Sequence, residues 1–231
     1  MLQLINKNKI YFYLISFLFL STISNKQYFN EFKKNFTISK IDIQIDKTYL
    51  KQIIFQKTKF LIDSNIFFIK AEILKDELNK LNYLENIEIK KKYPSTILIK
   101  AKKTKYVAIS YMNQKKFFLG LNGKLILSEK VYDQYKLPTI FGKFKISEFF
   151  YIKNLLSKQK IDLKKIKKYY FHKNKRWDLY FEKNILLMLP NKNIEESLKL
   201  FKDFKAVNTI EANTIIDLRV PNRLILKNEQ R

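Results

Sequence analysis

Cysteine is absent from this 231-residue chain, and glycine, alanine, proline and arginine are all scarce. Without cysteine there are no disulfides and no cysteine–zinc sites, although an exported protein can fold without bridges, so the compartment stays open. Three glycines are too few to build a phosphate-cradling loop. Only four of the 46 basic residues are arginine, namely Arg176, Arg219, Arg223 and Arg231. Arginine's planar fork reads guanine edges and clamps phosphate, whereas lysine is a hydrated point charge. The net charge of +25 therefore reads as a lysine-coated, solvated surface with secondary affinity for anionic lipid or polymer, and not as specific nucleic-acid recognition. Abundant lysine, asparagine, isoleucine, phenylalanine and tyrosine follow the bias of an A/T-rich genome.

Catalytic chemistry is equally thin. His172 is the sole histidine, and it stands in a lysine-rich stretch with no cue to a neighbouring nucleophile, the setting of a surface histidine. The acidic pairs Asp76-Glu77 and Glu195-Glu196 fall on helices whose exposed faces would carry them in any case. No spacing points to an all-carboxylate metal site. The expectation is a protein that is not an enzyme, with no cofactor, no metal and no small-molecule substrate. The run Lys164 to Arg176 mixes cations with aromatics, as single-strand binders do, but reads more simply as a solvated strand-and-loop edge able to touch anionic headgroups.

What is present is apolar: 46% hydrophobic and 15% aromatic residues, enough to bury a core. Ile10 to Ile23 carries no charge, with Lys9 before it and Lys26 after. The residues between those lysines span roughly 24 Å as a helix, short of the ~30 Å hydrocarbon core, with snorkelling lysines and local thinning to cover the difference. This predicts a transmembrane anchor over 10–25 behind a short cytoplasmic tail, residues 1–9. A cleaved signal peptide ending near Thr22-Ile23-Ser24 is the rival. Lysines on both sides leave orientation to the shortness of the tail, which makes an inside N-terminus the default.

Beyond the apolar segment, Ile41, Ile43 and Ile45 alternate on one strand face, and Thr48 to Phe55 suits a short helix. Ala71, Leu74, Leu78 and Leu81 form the stripe of an amphipathic helix, with Asp76 and Lys80 at pairing distance outside it. Ile87, Ile89 and Tyr93 then share a strand face, Pro94-Ser95 makes a turn, and Ile97, Ile99 and Ala101 line the return strand. In the second half, Phe117-Phe118-Leu119 and Leu125-Ile126-Leu127 flank Gly120 to Lys124 as a hairpin. Leu137-Pro138 and Gly142 mark an exit loop, and Ser147 to Leu156 a helix. Arg176 to Phe181 and Ile185 to Leu189 form a second hairpin through Glu182-Lys183-Asn184. Asn193 with Glu196 is a capping arrangement for a helix from Ile194 to Phe204. Ile216, Leu218 and Val220 alternate with Asp217 and Arg219, turn at Pro221-Asn222, and return as Leu224-Ile225-Leu226.

The stretch Leu81 to Ile99, with a leucine–aromatic pair before an alternating strand and the basic–aromatic–proline turn Lys92-Tyr93-Pro94, resembles a POTRA domain of the FtsQ type. The hairpin Phe118 to Ile126, Leu137-Pro138 with Gly142, Arg176-Trp177-Asp178-Leu179 and Ile216-Asp217-Leu218-Arg219 follow in the order of the FtsQ β domain. The sequence thus resembles the bacterial cell-division FtsQ/DivIB family from about residue 10 to 227. The resemblance implies an α+β fold: a single N-terminal transmembrane helix, a β-α-α-β-β POTRA domain over 36–104, a mixed or antiparallel β-rich domain with flanking helices over 105–227, and a tail over 228–231. It further implies an inner-membrane protein, N-terminus cytoplasmic and bulk periplasmic, that joins FtsB- and FtsL-like division proteins at the septum. A partner segment would add to the edge formed by Asp217 to Leu226, because unpaired N–H and C=O groups template an incoming strand. The candidate contact residues are Asp217, Arg219, Val220, Asn222, Leu224, Ile225 and Leu226. Val220 and Arg223 stand where the family often has an aromatic and a glycine. An ordinary core strand at Leu224 to Leu226 is the alternative, as is a POTRA-bearing export or outer-membrane assembly factor for the whole.

Overall fold

A computed structural model describes residues 7–22, 31, 34–130 and 136–228, in two compact units, Met1–Lys103 and Thr104–Arg231. Helix α1 (Lys7–Thr22) is apolar around its whole circumference, with Phe12, Phe17 and Phe19 all exposed. It begins at Lys7, ahead of the expected Ile10, and residues 23–25 of the expected anchor lie outside the described residues. Its 16 residues rise about 24 Å, and among the described residues no helix is long and apolar enough to cross a membrane.

The rest of the first unit follows the β-α-α-β-β order: β1 (Lys40–Gln44), α2 (Thr48–Thr58), α3 (Ala71–Asn79), β2 (Leu84–Lys92) and β3 (Thr96–Lys103). The sheet order is β1-β3-β2, with β1 parallel and β2 antiparallel to the central β3. Buried Leu50, Ile54 and Thr58 recur every four residues along α2, and Leu74 and Leu78 do the same on α3. Helix α2 packs against β1 and α3 against β2, and Ile97 and Ile99 on the central β3 are both fully buried. The predicted α2 stops short, since the helix continues one turn past Phe55 to Thr58, whose hydroxyl donates to Ile54 O at 2.9 Å.

Two local expectations fail. Lys80 pairs with Glu77, three residues back, and not with Asp76. Tyr93 does not join Ile87 on the inner face. The bulge between Glu85 and Glu88, with Asn86 at φ 54°, leaves the parity of Ile87 and Tyr93 unchanged, but the strand ends at Lys92. Tyr93 is thus a turn residue, 55% exposed, and its ring packs tilted against Phe67 with centroids 5.3 Å apart.

The second unit is one nine-stranded sheet built from β4 (Tyr106–Met112), β5 (Lys115–Gly120), β6 (Leu125–Leu127), β7 (Thr139–Phe141), β8 (Ile166–Phe171), β9 (Trp177–Phe181), β10 (Leu186–Met188), β11 (Thr214–Asp217) and β12 (Ile225–Asn228). The order across it is β12-β11-β10-β9-β8-β7-β4-β5-β6. Hairpins join the antiparallel pairs. Of the three parallel pairs, β4–β7 is linked by way of β5 and β6, while β7–β8 and β10–β11 are joined through α4 (Ile146–Lys158) and α5 (Ile194–Val207), because a tight turn cannot connect parallel neighbours. Phe149, Ile152, Leu155 and Leu156 of α4 share one buried cluster with Leu198 and Phe201 of α5 and with the inner strands. Lys158 meets Glu195 at 2.5 Å across the two helices. At the centre, Phe149, Tyr169 and Trp177 pack edge to face, with ring centroids at 5.3 Å and 6.3 Å from Tyr169.

The sequence underestimates this sheet. Tyr106 to Met112 forms an unforeseen strand, turned into β5 by Asn113 and Gln114 with φ of 47° and 62°. Thr139–Phe141, expected in a loop, is a strand as well. The lysine-rich Lys164 to Arg176 is no edge: β8 lies between β7 and β9, and Tyr169 is 1% exposed. Asn193 precedes α5 but sits in the left-handed region (φ 53°), so its side chain makes no capping bond. The start of α4 is closed from the other side, by Glu148 accepting the Lys145 N–H at 2.7 Å.

Gly142 ends β7 at φ 99°, and a Cβ there would stand 2.0 Å from the backbone oxygen of Phe171. Because the obstacle is main chain of a neighbouring central strand, Gly142→Ala should cost at least about 2 kcal/mol. Chemical denaturation followed by Trp177 fluorescence reads this loss; a midpoint equal to wild type would contradict it.

Candidate functional site

The final hairpin is shaped by an acid and a base two residues apart. Ile216 and Leu218 are buried against the sheet core, which holds Asp217 between them with only 7% of its surface exposed. Its carboxylate accepts the Arg219 backbone N–H at 2.9 Å and the guanidinium at 2.8 Å and 2.6 Å. This clip ends β11. Pro221 and Asn222 (φ 57°) then turn the chain, the Arg223 N–H donates to Val220 O at 3.2 Å, and β12 returns antiparallel with Ile216 opposite Leu226 and Asp217 opposite Ile225. The hydrogen bonds from Arg219 hold the Asp217 carboxyl below its ordinary value of 3.8, against the opposing effect of burial, and Asp217 in turn raises Arg219.

The seven residues singled out from the sequence fall into two groups. Asp217 lies on an interior strand, with Met188 of β10 on one side and Ile225 of β12 on the other. Arg219, Val220 and Asn222 belong to the turn, and Leu224 packs partly against the core. Ile225 and Leu226 lie on β12, 37% and 46% exposed. β12 is the last strand of the order, so among the described residues no strand pairs with its outer edge. That edge runs on through Lys227 and Asn228, which the sequence places at the end of the domain and in a tail. Their polarity hides a strand whose register is set entirely by β11, with Thr214 opposite Asn228.

A cleft of about 280 Å³ accompanies the edge, lined by Phe204, Asn208, Ile210 and Glu211 from the end of α5 and the loop after it, and by Leu226 and Asn228 from β12. An incoming extended segment would meet both a row of backbone groups and a side-chain recess, the two elements of strand-addition recognition. Elsewhere, His172 and Arg176 converge on the buried Asp178, His172 Nε2 lying 2.7 Å from its Oδ2 and Arg176 at 3.4 Å. His172 thus braces the β8–β9 hairpin as well as facing solvent. Among the described residues no group of three or more histidine, aspartate or glutamate side chains is arranged to hold a metal ion.

Residues 36–102 match the sequence model of the FtsQ-type POTRA domain, and residues 109–219 that of the C-terminal region of cell division protein FtsQ/DivIB. The chain belongs to the FtsQ/DivIB family. Cell division protein FtsQ of Rickettsia felis and that of Rickettsia conorii are each 25% identical to it, over 168 and 169 residues. These alignments cover 71% of this chain and 62% of each relative, so the chain spans less than two thirds of the length of the curated FtsQ proteins it matches. Among solved structures, it is similar to the major extracytoplasmic domain of the trans isomer of DivIB from Geobacillus stearothermophilus, at 15% identity and a TM-score of 0.30, covering 45% of this chain and 92% of that one. The second FtsQ/DivIB match occupies the stretch where an outer-membrane assembly factor would carry further POTRA repeats or a barrel.

The Asp217–Arg219 clip makes a pH-dependent contribution of definite sign. A carboxyl depressed in the folded state stabilises above its unfolded pKa and loses that contribution as pH falls through the folded value. Asp217→Asn should therefore lower Tm at neutral pH, and the gap from wild type should close as pH falls below Asp217's ordinary value of 3.8. A gap independent of pH would show that the clip acts by shape alone.

Proposed function

We propose that this chain is a non-enzymatic division scaffold, held in the bacterial inner membrane by α1, whose second unit captures FtsB- and FtsL-like partners by strand addition at β12. The observation that carries the reading is the partly apolar outer edge of Ile225 and Leu226 beside a cleft, on the strand that follows the family-matched residues 109–219. An exposed apolar edge strand is an aggregation hazard unless something covers it, and a partner's backbone is the cover that satisfies both its polar and its apolar groups. Lys227 on the same strand adds a charge of the kind that discourages pairing with a second copy.

On this reading Asp217, Arg219, Val220 and Asn222 shape the hairpin, while Leu224, Ile225 and Leu226 meet the partner. The protein sits with its N-terminus in the cytoplasm and its two units in the periplasm, at the septum, where it links early and late division proteins. It takes no cofactor, small-molecule substrate or specific nucleic acid. The apolar segment suits the anchor through its charge-free circumference, with Lys7 and Lys9 at one end and Lys26 beyond the other.

Removing Arg223 to Arg231 should abolish co-purification of FtsB- and FtsL-like proteins while circular dichroism retains the fold. The milder Leu226→Ser, at a half-exposed site, should weaken capture about tenfold without lowering Tm appreciably. Undiminished capture by both variants would refute the edge assignment. Depletion should give filamentous cells, and a fluorescent fusion should gather at mid-cell; evenly spread protein in cells of normal length would refute the division role.

A further inference from the structure

The first unit carries an exposed aromatic cluster that its own core does not use. Three separate segments build it. Phe36 packs tilted against Phe67 with ring centroids 4.8 Å apart, and Phe67 packs tilted against Tyr93 at 5.3 Å. Phe67 is 49% exposed and Tyr93 55%, and the adjoining Phe68 projects with 81% of its surface free. The backbone beneath is fixed: the Ile66 N–H donates to Phe36 O at 2.9 Å, and Asn65 accepts the Phe67 N–H at 2.9 Å. Ile66, in the same short turn as Phe67 and Phe68, is completely buried. The rings are thus displayed on a hydrogen-bonded base.

Lysine predominates in the segments that carry the rings. Residues 34–37, 67–70 and 90–94 hold five lysines and no acidic residue, with Lys90 paired to Glu88 at 2.7 Å. Lys91 Nζ donates to Phe67 O at 3.2 Å, which places one of these cations at the foot of the stack. Rings flanked by lysines suit the boundary between acyl chains and anionic headgroups. Phenylalanine reaches the apolar side, tyrosine keeps its hydroxyl wet, and lysine stays among the phosphates. The chain supplies the proximity as well. Thirteen residues separate Thr22, the end of α1, from Phe36, so Phe36 is held within about 45 Å of the apolar helix along the chain.

We propose that the Phe36–Phe67–Tyr93 stack and Phe68 form a membrane-surface foot, laying the first unit against the anionic bilayer to which α1 tethers it. The proposal rests on the anchor reading of α1 and adds a second, reversible contact to it. Two weak membrane signals on one chain act together, because the tether raises the effective concentration of the foot at the surface.

The absence of cysteine makes every introduced thiol a unique label site. The full chain is reconstituted in vesicles of phosphatidylcholine and phosphatidylglycerol, carrying a fluorophore at Phe68→Cys, at the exposed Gln44→Cys on β1, or at Phe17→Cys in α1. Quenching by nitroxide-bearing lipid is compared with quenching by aqueous iodide. The foot predicts that the label at 68 is quenched by lipid several-fold more than the label at 44, and is correspondingly sheltered from iodide. Lys70→Gln, or vesicles of phosphatidylcholine alone, should reduce that lipid quenching, the lysine change by about fivefold in the docking equilibrium. A label at 68 as open to iodide as that at 44, with the label at 17 in lipid, overturns the foot and leaves the anchor standing. A label at 68 sheltered from both quenchers means a protein covers the rings, and also overturns it. A label at 17 that lipid does not quench overturns the anchor reading, whatever position 68 shows.

Discussion

Parallel pairing without room for a turn is the constraint that organises the second unit. β7 and β8 run side by side in the same direction, as do β10 and β11, and each pair must be bridged by a crossover. Helices α4 and α5 are those crossovers. Both contribute to one buried cluster, so the sheet has a covered face and a core. The second crossover delivers β11 beside β10, and only a hairpin remains to be made. That hairpin places β12 outermost. The outer edge on which the functional reading depends is therefore a product of topology, since among the described residues this order leaves β12 paired on its β11 side alone.

Elements with a strong local signature were legible in the sequence. The stripes Leu74–Leu78 and Leu198–Phe201 declare helices, and the alternation at Ile97 and Ile99 marks a strand whose inner face is buried. The hairpins β5–β6 and β9–β10 announce themselves by turn residues between apolar runs. What escaped has less pattern or a misleading one. β7 is three residues long and buries only Ile140, too little to show a period. β8 looks solvated because Lys167 and Lys168 face water, yet Ile166 and Tyr169 are buried, as a central strand with one wet face requires. Tyr93 keeps the parity of Ile87 and Ile89, but the strand stops at Lys92 and the chain turns there, an ending that an uninterrupted period cannot anticipate.

The candidate edge was half legible for the same reason. Sequence alternation runs from Ile216 through Val220, suggesting a longer strand than exists, because it cannot show that the Asp217 carboxylate captures Arg219 and stops the ladder. Nor can polarity reveal that Lys227 and Asn228 are still in register with Ile215 and Thr214. Interior and outermost positions differ only in what lies beside them, which is a property of the folded sheet.

One further consequence comes from the left-handed residues. Asn86, Asn113, Gln114, Lys183, Asn184, Asn193, Asn213 and Asn222 all hold positive φ, a conformation that strains side chains bearing a Cβ by roughly 1 kcal/mol, less for asparagine. A lineage whose nucleotide bias discourages glycine has thus built its corners from costlier materials. That strain lies in the loops and not in the core, and a more stable version for crystallography would be sought by placing glycine at Lys183 or Gln114.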